Sequence, residues 1–77
     1  MKKSDIINYV RGNARREMAD LISLNKNGFH ALAVQGADIG WDKQKDGSIM
    51  FILFLPGVKH IFRKQNVNAP LEYVRAA

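Results

Sequence analysis

The sequence contains no cysteine and only two histidines, His30 and His60, among its 77 residues. Without cysteine the chain can form neither a disulfide framework nor a cysteine-based zinc site. Neither histidine has an acidic residue three or four positions away, so a metal site is not expected. The three serines, Ser4, Ser23 and Ser48, do not lie in a strand-to-helix turn that would present a nucleophile. We therefore expect a non-enzymatic protein without a metal or another cofactor.

Long apolar segments are also missing. No stretch approaches the length of about 18 apolar residues that a membrane-spanning helix needs. The start Met1-Lys2-Lys3 resembles that of a signal peptide, but polar residues such as Asp5 and Asn8 interrupt the segment behind it. The lack of cysteine fits a reducing compartment. We expect a cytoplasmic protein that does not enter a membrane.

The longest apolar run that is present, Ile49 to Leu55, has seven residues in a row. Asp46-Gly47 precedes it and Pro56-Gly57 comes after it, and such pairs are typical of turns. A run of this length between two turns predicts a β-strand. Successive side chains of a strand point to opposite faces, so this strand has no polar face. Both of its faces must then be covered.

Residues 4–25 are predicted to form an amphipathic helix, with Ser4 as the N-cap and Asp5 in the first turn. Gly12 is unfavourable inside a helix by about 1 kcal/mol relative to alanine. It indicates either the close approach of another backbone or the true start of a shorter helix. The buried stripe would consist of the apolar residues at helical spacing: Ile7, Val10, Ala14, Met18, Leu21 and Ile22.

The rest of the chain predicts a meander of strands. Residues 29–35 and 39–45 are expected to be strands, and the pair Asp46-Gly47 should join the second of them to the apolar strand in a hairpin. Residues 58–63 could form a fourth strand or a short helix. A final short helix is expected to start near Asn68, because proline is present at position 70.

The sequence therefore predicts an α+β fold in one domain, residues 1–77. An N-terminal amphipathic helix would pack on a three- or four-stranded antiparallel sheet, with a short C-terminal helix or tail at the end. The order of a helix, three strands and a helix resembles that of double-stranded RNA-binding domains, although the lysine-rich start of their second helix is absent here. One helix covers one sheet face. The C-terminal segment or a second copy of the chain could cover the other, and a homodimer is slightly favoured.

The chain as a whole has a net charge of +5. Its positive charge is concentrated at the two ends. Two clusters stand out: Arg11, Arg15 and Arg16 in the helix, and Lys59, Arg63 and Lys64 near the C-terminus. Clustered arginine and lysine can neutralise phosphates, so the leading hypothesis is a small basic protein that contacts nucleic acid through these six residues. An ordinary solvated basic surface is the alternative interpretation of the same charges.

Trp41 shares one face of strand 39–45 with Ile39, while Gly40 between them indicates a bulge. Trp41 is either a corner of the core or an exposed anchor for a partner, and the core interpretation is favoured. As an anchor it would indicate a second function, because tryptophan and arginine often carry binding energy at interfaces. That function is a protein–protein interaction module or inhibitor of the phage or mobile-element type, which binds and blocks a host protein or nucleoprotein complex. A purely structural homodimer is the third hypothesis.

Overall fold

The computed structural model describes residues 3–25 and 38–77. They form one N-terminal helical segment and a four-stranded antiparallel sheet in the order β1-β2-β3-β4, which confirms the predicted fold class of a helix packed on an antiparallel meander. The strands are β1 Asp38–Lys43, β2 Ile49–Leu55, β3 Val58–Lys64 and β4 Glu72–Ala76. The predicted strand over residues 29–35 lies outside the described residues.

The predicted apolar strand is β2, and its bounds are those expected from the sequence. Each of the two turns beside it contains a glycine at positive φ, Gly47 at 89° and Gly57 at 81°. Other residues rarely adopt that conformation, so these two glycines fix where the hairpins turn. Asp46 supports the first turn, because its Oδ1 accepts a hydrogen bond of 2.9 Å from the backbone N–H of Ser48.

The helical segment has an irregularity at its centre. It consists of α1, Lys3–Tyr9, a π-helical turn, Val10–Ala14, and α2, Arg15–Asn25. Both explanations offered for Gly12 are wrong, since the helix continues through it and, among residues 3–25 and 38–77, no atom beyond its own stretch of helix lies within 4 Å of where its Cβ would be. Gly12 instead lies in the π turn, where the hydrogen-bond pattern already departs from that of an α-helix.

The π turn changes which residues face the sheet. Ile6 is buried whereas Ile7, the predicted start of the stripe, is only half-buried. Eight steps of about 100° would place Ile6 well away from the line of Ala14 in a regular helix. The extra residue of the π turn brings these two side chains back onto one face. After the turn the predicted stripe is confirmed, since Ala14, Met18 and Ile22 are all completely buried.

The core lies between the helix and one face of the sheet, which we call the inner face. Its buried members on the sheet side are Ile49, Phe51, Leu53, Phe62 and Leu71. Each such side chain contributes about 1.5–3 kcal/mol on burial. Ile39 and Trp41 pack against this cluster from the same face of β1, as the sequence predicted.

The C-terminal segment is a strand and not the expected short helix. β4 pairs antiparallel with β3, and the predicted ambiguity over residues 58–63 is resolved because β3 is a strand as well. Without β4 the backbone groups along this edge of β3 would be unpaired, and tyrosine and valine favour an extended conformation. β4 contains a bulge, since Ile61 lies opposite Arg75 and Phe62 opposite Tyr73. This all-strand ending also departs from the order in double-stranded RNA-binding domains.

Two further expectations concern Gly40 and membranes. The pairing of β1 with β2 is regular from end to end, so the predicted bulge at Gly40 is wrong. No helix within residues 3–25 and 38–77 is long and apolar enough to cross a membrane.

Candidate functional site

The six basic residues predicted to bind phosphate lie at three separate places. Arg11, Arg15 and Arg16 lie on the helix at and after the π turn. Arg11 and Arg16 are exposed, and Arg15 is half-buried. We call these three residues the helix surface. Within the described part of the chain, no ion pair of Arg11 or Arg16 is found. The exposed guanidinium groups of Arg11 and Arg16 are therefore open to solvent, where a ligand can reach them.

The π turn shapes the helix surface. Its i→i+5 hydrogen bonds bring side chains five positions apart closer to the same face than an α-helix would, and Arg11 and Arg16 have this spacing. Between them Arg11, Gly12 and Asn13 are all exposed. Open space over Gly12 leaves the backbone accessible beside the arginines. Sequence reasoning missed this turn, although a glycine within the helix and the mismatch between Ile6 and the stripe were its signals.

Lys64, one of the residues predicted to contact phosphate, lies inside the protein and not at its surface. Only 4 % of this residue is exposed, because it lies on the inner face between the helix and the sheet. Its Nζ lies 3.6 Å from the centroid of the Tyr9 ring, which is a cation–π contact. Burial lowers the pKa of Lys64, and the charge of Glu17 opposes that change.

The same place holds a cluster of three polar groups from three elements. The Tyr9 hydroxyl donates a hydrogen bond to the carboxylate of Glu17, while Lys64 lies over the Tyr9 ring. Burial, and then the hydrogen bond to Glu17, raise the pKa of Tyr9. We call these three residues the Tyr9 cluster. It joins α1, α2 and β3, and it provides a polar contact between the helix and the sheet.

Lys59 and Arg63 lie on the other side of the sheet, which we call the outer face. Residues directly opposite in adjacent strands share a face, and these two lie opposite Phe54 and Met50. The Lys59 Nζ lies 5.8 Å from the Phe54 ring centroid. Arg63 Nη2 lies 3.5 Å from Asp46 Oδ2 in an exposed ion pair, and such pairs contribute about 0–1 kcal/mol.

An apolar stripe runs along β2 through the centre of the outer face. Met50 and Ile52 are half-buried, and Phe54 is 39 % exposed. The Phe54 ring lies against Gly40, where an added Cβ would be 3.1 Å from Cε2. No helix or strand among residues 3–25 and 38–77 covers this face, since the helix packs on the inner face and β4 lies at the sheet edge.

Charge on the outer face has a direction across the strands. β1 presents only acidic side chains there, those of Asp38 and Asp42, opposite Phe54 and Met50. Across the stripe, β3 and β4 present three basic side chains and one acidic side chain: Lys59, Arg63, Arg75 and Glu72. The outer face is thus acidic along β1, apolar along β2 and net basic across β3 and β4 together.

The remaining predicted residues lie on the inner side. Trp41 is half-buried opposite Phe51 and packs on the core, in agreement with the core interpretation. His60 is 2 % exposed, and its Nδ1 lies 3.0 Å from the Tyr73 hydroxyl oxygen. His30 lies outside the described residues. Among residues 3–25 and 38–77 no group of three metal-ligating side chains occurs.

Comparison with protein-family models, with curated proteins and with solved structures finds no match to this chain. Its function must therefore be inferred from its own geometry and charges.

Proposed function

We propose that this is a non-enzymatic binding protein that contacts nucleic-acid phosphates through its helix surface. The observation that carries the proposal is the placement of Arg11, Arg15 and Arg16 around the exposed π turn. The guanidinium group offers paired N–H donors that match two phosphate oxygens, and it stays charged at any physiological pH. A reducing, cytoplasmic location is part of the proposal and fits the absence of cysteine.

The neighbouring groups support phosphate contact. Asn8 and Asn13 are exposed beside the arginines and can donate amide hydrogen bonds. The acid closest to the arginines in the chain, Glu17, already accepts a hydrogen bond from Tyr9. Phosphate contacts position a protein on nucleic acid without reading its sequence. We therefore expect binding that tolerates many sequences.

Lys59 and Arg63 form a weaker candidate for the same role. They lie on the opposite side of the sheet from the helix. A duplex that binds along the helix surface therefore cannot contact Lys59 and Arg63 at the same time. Acidic groups also surround them, with Asp46 already paired to Arg63 and Glu72 opposite it in β4. The two sites can thus be separated by mutation.

The test is a titration of fluorescent duplex DNA, single-stranded DNA and structured RNA at several salt concentrations. The double variant Arg11→Ala/Arg16→Ala should weaken binding about tenfold or more and lower the log–log salt slope by about 2, since each duplex phosphate contact contributes about 0.9. The matched control is Lys59→Ala/Arg63→Ala, which removes the same charge from the outer face. Equal losses in both variants would show attraction to net charge alone. Absence of binding at low salt would refute the proposal.

A protein–protein interaction module or inhibitor is the second candidate, and the exposed apolar side chains of Phe54 and Val74 favour it. Such a protein would bind and block a host protein or nucleoprotein complex, as phage and mobile-element products do. Nuclease treatment of a pull-down separates the two candidates. A partner that is retained after nuclease but lost in Phe54→Ser would support the second, and a partner released by nuclease supports the first.

A further inference from the structure

We propose that the outer face binds the outer face of a second copy of this chain, forming a two-layer sheet sandwich with the two helices on the outside. The outer face is a sheet surface with an apolar stripe, Met50, Ile52 and Phe54, that no described helix or strand covers. Two stacked sheets bury such stripes between them at a spacing of about 10 Å. The occupant is a second copy because this face is complementary to itself.

The direction of charge across the strands defines the symmetry of the dimer. A two-fold axis that lies between the sheets and parallel to the strands places β1 of one protomer over β4 of its partner, and β2 over β3. β1 and β2, whose combined charge on this face is negative, then lie over β3 and β4, whose combined charge is positive. The partner's Arg75 comes to lie between Asp38 and Asp42. Asp42 is also level with the partner's Glu72. An axis perpendicular to the strands would place each acidic edge over the other acidic edge. Charge therefore favours the first arrangement.

The centre of the proposed interface contains two isoleucines from each protomer, Ile52, which is half-buried, and Ile61, of which 8 % is exposed. In the favoured arrangement Ile52 on β2 lies over β3 of the partner at the level of Ile61, because these two residues are opposite each other within one sheet. Phe54 of one protomer lies at the level of Lys59 of the other. The cation–π contact that these two residues make within one chain can therefore also form between the two chains. Ile52 and Ile61 of both protomers thus meet at the axis, whereas Met50 lies over the partner's Arg63.

The size of the sheet indicates a weak dimer. Four strands spaced by about 4.8 Å and about seven residues long at about 3.4 Å each give a flat area of roughly 450 Å² per protomer. Stable interfaces bury about 800 Å² per partner, and smaller ones are typical of transient complexes. We therefore expect association that depends on concentration in the micromolar range. The helix surface stays outside the interface, so this inference does not depend on the proposed function.

Sedimentation equilibrium over a wide range of protein concentration tests the inference. The wild type should show a monomer–dimer equilibrium that weakens as salt is added. Ile52→Glu places a charge at the centre of the interface and should leave only monomer, while circular dichroism confirms that it is folded. A wild type that stays monomeric at every concentration and at low salt would overturn the proposal.

Charge reversal tests the arrangement itself. Asp38→Lys/Asp42→Lys and Lys59→Glu/Arg75→Glu should each weaken self-association about tenfold or more. Mixing the two variants should restore dimers, because each reversed edge then faces an edge of opposite charge. The matched control, Arg11→Glu/Arg16→Glu, changes the net charge as much as the second variant but lies on the helix surface, and it should dimerise like the wild type. Mixed variants that remain monomeric, or a control that is equally weakened, would overturn the proposed arrangement.

Discussion

Phe51 and Phe54 lie three positions apart in the same strand, yet Phe51 is completely buried while Phe54 is 39 % exposed. The difference comes from the face of the sheet that each one occupies. Phe51 faces the helix, whose side chains Ile6, Met18 and Ile22 cover it as part of one core cluster. Phe54 faces outward, onto Gly40 and toward the ammonium group of Lys59. Two aromatic residues of one apolar run therefore have different roles, one in stability and one at a surface.

The lysines on the two faces also lie in different environments. Lys64 on the inner face is buried over the Tyr9 ring, whereas Lys59 on the outer face is exposed over Phe54. Both make a cation–π contact, but only the inner one is removed from water, and this burial lowers the pKa of Lys64. A cationic residue contributes to binding only where solvent reaches it. The comparison thus identifies which basic residues can contact a partner.

The largest difference between the two faces is expected when each phenylalanine is replaced by alanine in a separate variant. Phe51→Ala should lower the free energy of unfolding by about 3–5 kcal/mol, because it leaves a cavity in the core. That is a large part of the about 5–15 kcal/mol that holds a domain together. Phe54→Ala should lower it by less than about 1.5 kcal/mol, since its ring is already in contact with water. Urea denaturation monitored by circular dichroism measures both, and equal losses would contradict the assignment of faces.

Residue patterns predicted the centre of the sheet and the N-terminal helix well, but the C-terminal segment poorly. The bounds of β2 result from local chemistry, since a turn dipeptide with glycine stands at each end. The burial of Lys64 does not, because it depends on the arrival of Tyr9 and Glu17 from the helix. β4 likewise depends on the free edge of β3 and not on the helix signals near Pro70. Within the candidate site, exposure of Arg11 and Arg16 agrees with the predicted basic cluster, but the π turn beside them depends on packing.

The Tyr9 cluster provides a further test of the inner face of the sheet. Tyr9→Phe removes the hydroxyl that donates to Glu17 and leaves a partly buried carboxylate without this donor. Such a loss should lower the free energy of unfolding by about 1–3 kcal/mol. The expected change is measured by urea denaturation at neutral pH. Tyr73→Phe, which removes the hydroxyl beside His60, is a matched control that leaves Glu17 untouched.

The pH dependence of stability gives an independent check of this cluster. The pKa of Tyr9 is raised in the folded state above its ordinary value of 10.0, so the folded state holds this proton more tightly. Its contribution to stability is then complete below pH 10 and is lost as the pH rises above that value. Lys64 acts oppositely, because its lowered pKa makes the folded state more stable as the pH rises toward 10.5. Tyr9→Phe should abolish the loss of stability above pH 10 and leave the gain in stability that Lys64 contributes as the pH rises toward 10.5. A stability profile above pH 10 that Tyr9→Phe leaves unchanged would contradict the assignment of the raised pKa to Tyr9.

On the outer face, Gly40 and Phe54 should be coupled. Gly40→Ala places a methyl group 3.1 Å from Phe54 Cε2, so the ring must move aside. We expect a loss of about 1 kcal/mol in the wild type, as for other overpacked sites. In a Phe54→Ala background the same change should gain about 0.5–1 kcal/mol, because alanine is favoured over glycine within a strand. A double-mutant cycle measures this change of sign, and additive effects would show that the ring does not lie over Gly40.

The smallest effects are expected at the rim of the outer face, where Arg63 and Asp46 form an exposed ion pair. Arg63→Ala should lower stability by less than about 1 kcal/mol, because water already solvates both charges. Asp46→Ala should lower it more, since hydrogen bonds from the Ser48 N–H and hydroxyl are lost with it. Those hydrogen bonds are the main reason that the pKa of Asp46 is lowered, so its contribution is present above pH 3.8 and is lost as the pH falls below that value. If Arg63→Ala cancels this acid dependence, the ion pair and not the turn stabilises the first hairpin.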